Sequence, residues 1–312
     1  MTEPAARAAP LADAAAQIRL KKQATIASVI VATLLIAAKL AAWLLTDSVA
    51  VLSSLVDSLL DAAASVVTLL AVRYAVEPAD REHRFGHGKA EALAGLGQAA
   101  FICGSGALLL IEAVRRFFDP RAVRDEAIGI GVMVFSIVLT LALVAFQRHV
   151  VRQTRSVAIE GDSLHYAGDL ALNGSVIVAL GAHAMWGWTW LDPLFAVGIV
   201  LWLLWNARKV GAASLDMLLD RELPDDERET IRQIALGHPE VRSLHDLRSR
   251  RSGAATFIQF HLELDPDMTL MRAHTIADEV EDAIMAAYPN AEVIIHQDPE
   301  GLEEEHPTLA DG

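Results

Sequence analysis

The sequence is short of cysteine, of aromatic residues and of positive charge. Its 312 residues contain one cysteine, Cys103, which excludes an internal disulfide and a thiolate metal cluster. Cys103 lies in an apolar run and reads as a small packing residue. Aromatics make up 6% of the chain against 53% hydrophobic residues, so the apolar content is mostly aliphatic. Lys and Arg number 26 against 40 Asp and Glu, a formal net charge of −14, which argues against a nucleic-acid partner. The same charge suits a chain that handles cations, although an acidic tail alone would produce it. Residues 1–22 are Ala-rich and lack the basic start and apolar core of a cleavable signal. They read as a loose tail leading into a short amphipathic helix.

What is present is long apolar runs, concentrated before about residue 217, with a mean hydropathy of +0.34. Six such segments cover about residues 24–45, 48–75, 92–114, 127–146, 163–185 and 188–204, the last continuing toward Leu219. Each approaches the roughly 20 residues that a spanning helix needs. Basic residues orient them. Arg19, Lys21 and Lys22 precede the first span; Arg73, Arg81, Arg84 and Lys89 follow the second; Arg148, Arg152 and Arg155 follow the fourth; Arg208 and Lys209 follow the sixth. Both termini are therefore expected on the cytoplasmic side. The third-to-fourth connection disagrees, with Arg115, Arg116, Arg121 and Arg124.

Beyond Pro224 the pattern changes. Residues 225–236 read as a helix, 244–251 and 255–264 as strands joined at Ser252-Gly253, 270–288 as an amphipathic helix and 291–297 as a third strand. The second strand alternates Ile258, Phe260, Leu262 and Leu264 with Phe257, Gln259, His261 and Glu263. The order αββαβ predicts a small α+β domain with helices on one sheet face.

The second apolar run contains Leu55-Val56-Asp57-Ser58-Leu59-Leu60-Asp61. Two carboxylates four residues apart share one helix face. Each costs about 2.5–3.5 kcal/mol on insertion scales, so the pair demands a cation. The fifth run repeats the spacing in His165 and Asp169. Three carboxylates and one imidazole make a four-ligand tetrahedral set suited to Zn²⁺ and tolerable for other borderline divalent ions. Structural hydrogen bonding or a metal-free proton path is the competing reading. Lys39, in the first run, pairs with an acid, snorkels or packs at a helix interface.

Two further groups are weaker signals. The second-to-third connection holds Asp80, His83 and His87, with Gly86 and Gly88 allowing a tight bend; a merely solvated loop is the alternative. The soluble domain holds His245, His261, His274, His296 and Asp298, with His296 and Asp298 on one strand face; scattered surface histidines are the alternative.

Taken together, the six spans, the Asp57/Asp61 and His165/Asp169 pairs, the Phe85-Gly86-His87-Gly88-Lys89 segment and the trailing His296-Gln297-Asp298 resemble the cation diffusion facilitator family over about residues 20–300. Within it they are most similar to bacterial ferrous-iron/zinc efflux pumps. The resemblance implies an all-α six-helix transmembrane domain followed by a small cytoplasmic α+β domain like a copper metallochaperone. The boundaries are a cytoplasmic tail over 1–22, a transport domain over 23–217, a metal-binding dimerisation domain over 218–300 and an acidic tail over 301–312. It implies a transport site of Asp57, Asp61, His165 and Asp169, and a second site of Asp80, His83 and His87. It further implies a binuclear site of His245, His261, His274, His296 and Asp298 that steadies a homodimer. Lys89 and Asp220 match an interdomain charge pair.

The expected function is a non-enzymatic Zn²⁺/H⁺ antiporter in the lipid bilayer of a bacterial inner membrane. Fe²⁺, Cd²⁺, Co²⁺ and Mn²⁺ are alternative ions. A non-transporting membrane metal sensor and a passive channel are the rival classes. The intramembrane ligands tell against a sensor, and a tight cage tells against a channel.

Overall fold

The computed structural model describes residues 4–47, 49–118, 127–188 and 190–301. Two compact units result, one over Ala16–Leu215 and one that includes Asp216–Gly312. The long helices are α1 (Pro4–Thr46), α2 (Val49–Ala75), α3 (Lys89–Phe118), α4 (Ala127–Thr154), α5 (Val157–Trp186) and α6 (Leu191–Leu218). They overrun the apolar runs. Helix α1 begins at Pro4, where a loose tail is expected from composition; its Ala-rich start has high helix propensity. Helix α4 continues to Thr154, and α6 starts three residues later than expected but reaches Leu218. Arg121 and Arg124 of the discordant connection, and the acidic tail after Gly301, lie outside the described residues.

Among the described residues five helices, all but α5, are long and apolar enough to cross a membrane. The start of α5 is more polar, with Glu160, Asp162, His165 and Asp169. It packs against α2, α3 and α4, and much of that half is buried. Two glycines let its neighbours close in. A Cβ at Gly161 would come 2.9 Å from Gln98 Cβ on α3, and one at Gly168 would come 2.8 Å from Leu203 Cδ2 on α6. Large side chains such as Leu44, Leu45, Val67 and Leu108 face outward, as a lipid solvent allows.

At one end of this unit Lys21 and Glu91 form an ion pair of 2.5 Å, each about 1% exposed. Ser156, just before α5, donates to the other Glu91 oxygen at 2.6 Å. This clasp joins α1, α3 and the start of α5. Removing one partner of a buried pair strands the other charge, at a cost of about 3–5 kcal/mol. Lys21→Met should therefore sharply lower the thermal stability of the detergent-solubilised protein. The double change Lys21→Met/Glu91→Leu should recover most of the loss, and a double variant as unstable as the single one would contradict this account.

The second unit comprises α7 (Asp225–Leu236), β1 (Ser243–Ser252), β2 (Ala255–Leu264), α8 (Leu270–Ala287) and β3 (Ala291–Pro299). Its elements match the expected αββαβ order. Acidic Asp225, Asp226 and Glu227 occupy the first turn of α7, where the helix dipole favours them. Thr269 caps α8 by accepting from the Arg272 N–H. The sheet order is β1-β2-β3, with β1/β2 antiparallel and β2/β3 parallel. Ile258, Phe260, Leu262 and Leu264 are buried with Ile231 of α7 and Ile276, Val280 and Ile284 of α8. One sheet face is thereby committed to the helices, and the period-2 alternation leaves the histidine-bearing face free of core.

Candidate metal centres

In the membrane unit, the polar faces of α2 and α5 meet. His165 Nε2 lies 2.9 Å from Asp61 Oδ1 and 3.6 Å from Asp169 Oδ2. One ligand atom from each of Asp61, His165 and Asp169 falls within 4.8 Å of the others. A tetrahedral ion with ligand bonds near 2.0–2.1 Å sets its ligand atoms about 3.3–3.4 Å apart. The two contacts bracket that span. His165 is buried, with Phe101 edge-on at a ring-centroid distance of 5.3 Å. Asp57 is one turn earlier on α2 and stands outside this group of three, with its side chain exposed in the single chain. Lys39 turns to α2 and donates to Ser58 Oγ at 2.6 Å and to the Ser54 carbonyl at 3.1 Å. That is an interhelical contact of the kind its position in the first run suggests.

The connection between α2 and α3 brings Asp80, His83 and His87 together. Gly86, with φ of +74°, makes the bend that a side chain would resist. Asp80 lies 3.3 Å from both His83 Nδ1 and His87 Nε2. The backbone N–H of His83 holds the Asp80 carboxyl below the usual carboxylate range, and the Glu82 N–H and the His83 imidazole add to this. His87 is buried against the Tyr74 ring, centroids 4.3 Å apart. Its Nδ1 is 3.4 Å from the Glu77 carbonyl, and its Nε2 is 3.3 Å from Asp80 Oδ2. Among the described residues His87 Nε2 has Asp80 as an ion-pair neighbour but no well-aligned hydrogen bond.

In the second unit the strand register builds the site. His245 pairs with His261, and His261 with His296, so the three stand in one row across β1, β2 and β3. Their ring centroids are 5.0 and 4.7 Å apart along the row. Asp298, two residues beyond His296 and 5% exposed, reaches all three: 2.7 Å to His261 Nδ1, 3.5 Å to His245 Nε2 and 3.1 Å to His296 Nε2. The compact set is His245, His261 and Asp298, with His296 on the other Asp298 oxygen. His274 is apart from them on α8, exposed, with Asp278 at 3.6 Å. Between His245 and Arg248 the β1 ladder is irregular, and Asp246 has φ of +48°. Such a bulge re-aims side chains next to a site.

Lys89 is the first residue of α3. Asp220 follows α6 with φ of +57°, and Arg250 Nη1 lies 3.2 Å from its carboxylate. Sequence reasoning overlooked Asp162. It lies one turn before His165, so its spacing of three from His165 and seven from Asp169 was the available signal.

Residues 25–219 match the cation efflux transmembrane domain family, and residues 223–300 match the cytoplasmic domain of cation efflux proteins. A cation-efflux pump FieF of Cronobacter sakazakii is 50% identical over 281 residues, covering 90% of this chain and 93% of its own. The cation-efflux pump FieF of Klebsiella pneumoniae is 47% identical over 284 residues, covering 91% and 94%. A solved metal-bound C-terminal domain of the CzcD transporter from Thermotoga maritima is 29% identical, covering 25% of this chain and 93% of that one, with a TM-score of 0.25. With both family domains matched in order across most of its length, the chain belongs to the cation efflux, or cation diffusion facilitator, family of multi-pass membrane transporters.

Proposed function

We propose that the protein is a proton-coupled exporter of a divalent metal, Zn²⁺ foremost, from the cytoplasm of a bacterial cell across its inner membrane. The observation that carries this reading is the meeting of Asp61, His165 and Asp169, the imidazole buried and both carboxylates partly so, between two helices of an apolar bundle. Asp57 completes the four ligands when the bundle closes around the ion. An imidazole with carboxylates suits Zn²⁺ and tolerates Fe²⁺, Cd²⁺, Co²⁺ and Mn²⁺. A sensor has no use for ligands at this depth.

Metal and protons compete for the same lone pairs, which couples their movement. Facing the cytoplasm, the site gives up protons and takes metal; facing a more acidic exterior, protons help displace it. Moving two positive charges outward costs about 4.6 kcal/mol per 100 mV of inside-negative potential. One returning proton offsets only half of that, so a one-for-one exchange also draws on the pH or metal gradient. The Asp80, His83 and His87 set forms a second metal site in the α2–α3 loop. His245, His261, His274, His296 and Asp298 hold structural metal that steadies a homodimer. Both termini lie in the cytoplasm.

The test is Zn²⁺ flux into inverted vesicles. Uptake should be several-fold faster with an acidic lumen than at equal pH, and should slow when the gradient is collapsed. Equal rates in all conditions would remove the proton coupling. Rapid dissipative flux in both directions would favour a channel instead.

A further inference from the structure

Helices α2 and α5 carry two rungs. The first is Asp61 with His165 and Asp169. The second lies one turn along: Ser65, four residues after Asp61, meets Asp162 and Tyr166, each three residues before a member of the first rung. Ser65 Oγ is 3.2 Å from Asp162 Oδ1 and 2.9 Å from the Tyr166 hydroxyl. Tyr166 and Ser65 are both buried to within about 1% of exposure.

Asp162 is itself fully enclosed, and four side chains from four helices donate to it. Ser65 of α2 and Gln98 Nε2 of α3 donate to Oδ1, the latter at 3.3 Å. Ser28 of α1 donates to Oδ2, as does Gln147 Nε2 of α4 at 2.7 Å. Each amide uses its second N–H nearby: Gln98 donates to Thr68 at 3.0 Å and Gln147 to Ser28 at 2.9 Å. A carboxylate has about four lone-pair sites, so these donors fill it and leave nothing for a metal. Asp162 thus differs from Asp61 and Asp169 in kind, despite lying on the same face. Sliding α5 along α2 would strand several buried polar groups, each costly to leave unpaired.

We propose that Ser65, Asp162 and Tyr166 are positioning residues for the transport site: they fix the separation and register of α2 and α5, so that Asp61 meets His165 and Asp169 at metal-binding distance. This rests on the transport-site reading above. Groups behind metal ligands typically change metal affinity by about 10–100-fold when removed. Loosening the rung should also let a larger ion in, narrowing discrimination between Zn²⁺ and Cd²⁺.

The test uses the full-length protein in inverted vesicles, with initial rates measured against Zn²⁺ and Cd²⁺ concentration. Tyr166→Phe and Ser65→Ala remove one hydroxyl each. Both should raise the KM for Zn²⁺ on the order of tenfold, leave the maximal rate nearly unchanged and reduce the Zn²⁺/Cd²⁺ preference. Asp162→Asn should do more, because its amide turns a donor toward other donors. Ser136→Ala, a buried hydroxyl that donates within α4 to the Val132 carbonyl, is the control and should leave KM unchanged. Unchanged KM and preference in both Tyr166→Phe and Ser65→Ala would overturn the inference, as would a fall in maximal rate alone. If Asp61→Ala abolishes uptake while these two variants keep wild-type KM, only the positioning role fails. If Asp61→Ala transports normally, the transport-site reading itself fails.

Discussion

Asp61→Ala is expected to abolish Zn²⁺ uptake into inverted vesicles driven by an acidic lumen. Asp61 Oδ1 is the closer carboxylate to His165 Nε2, at 2.9 Å against 3.6 Å for Asp169. It is also the only member of the group contributed by α2. Without it, the group keeps only the one imidazole and one carboxylate of α5, and Asp57, which stands outside the group, cannot restore a tetrahedral set. The loss should be at least about 100-fold, the upper end of what removing a group merely behind a ligand costs. Asp61→Asn should behave almost the same, because an amide neither releases a proton nor carries the balancing charge. Retained binding at the cytoplasmic unit would show that the variant is folded. Uptake at the wild-type rate would end the assignment.

Asp298→Ala is the second variant with a large expected effect, in the cytoplasmic unit. Asp298 contacts His245, His261 and His296, so one substitution withdraws the common partner of the whole histidine row. A metal that binds only the folded state stabilises it by about 2.7 kcal/mol at one hundred times its Kd. Wild-type protein should show that shift in melting on adding Zn²⁺, reversed by a chelator, together with more dimer. Asp298→Ala should lose most of both. His274→Ala, at an exposed position outside the compact ligand group, should lose much less. A full Zn²⁺-dependent shift in Asp298→Ala would refute the role of the row, and equal losses in the two variants would mean that His274 joins the site across the dimer.

Much of this was readable along the chain. The spacing of Asp57 from Asp61 and of His165 from Asp169 set two polar faces by helical periodicity alone. The alternation through Ile258, Phe260, Leu262 and Leu264 separated core from site face before any partner strand was known. The extent of the helices was less legible. Composition marked the apolar run of α1, whereas hydrogen bonding continues the helix well outside it. Apolar content likewise under-reads α5, whose Asp162 and His165 turn inward and are buried.

By itself the sequence determined the membrane helices, the αββαβ domain and the inventory of candidate ligands, because periodicity and the cost of buried charge are local properties. Tertiary structure alone decided how those ligands are grouped. Antiparallel packing sets Asp61 against His165 and Asp169 and leaves Asp57 outside. Strand register aligns His245, His261 and His296 over one Asp298 and leaves His274 aside. Tertiary structure also surrounded Asp162 with donors from four helices. Carboxylates on one face of a helix look alike in sequence, and only the number of donors arriving from other helices separates them.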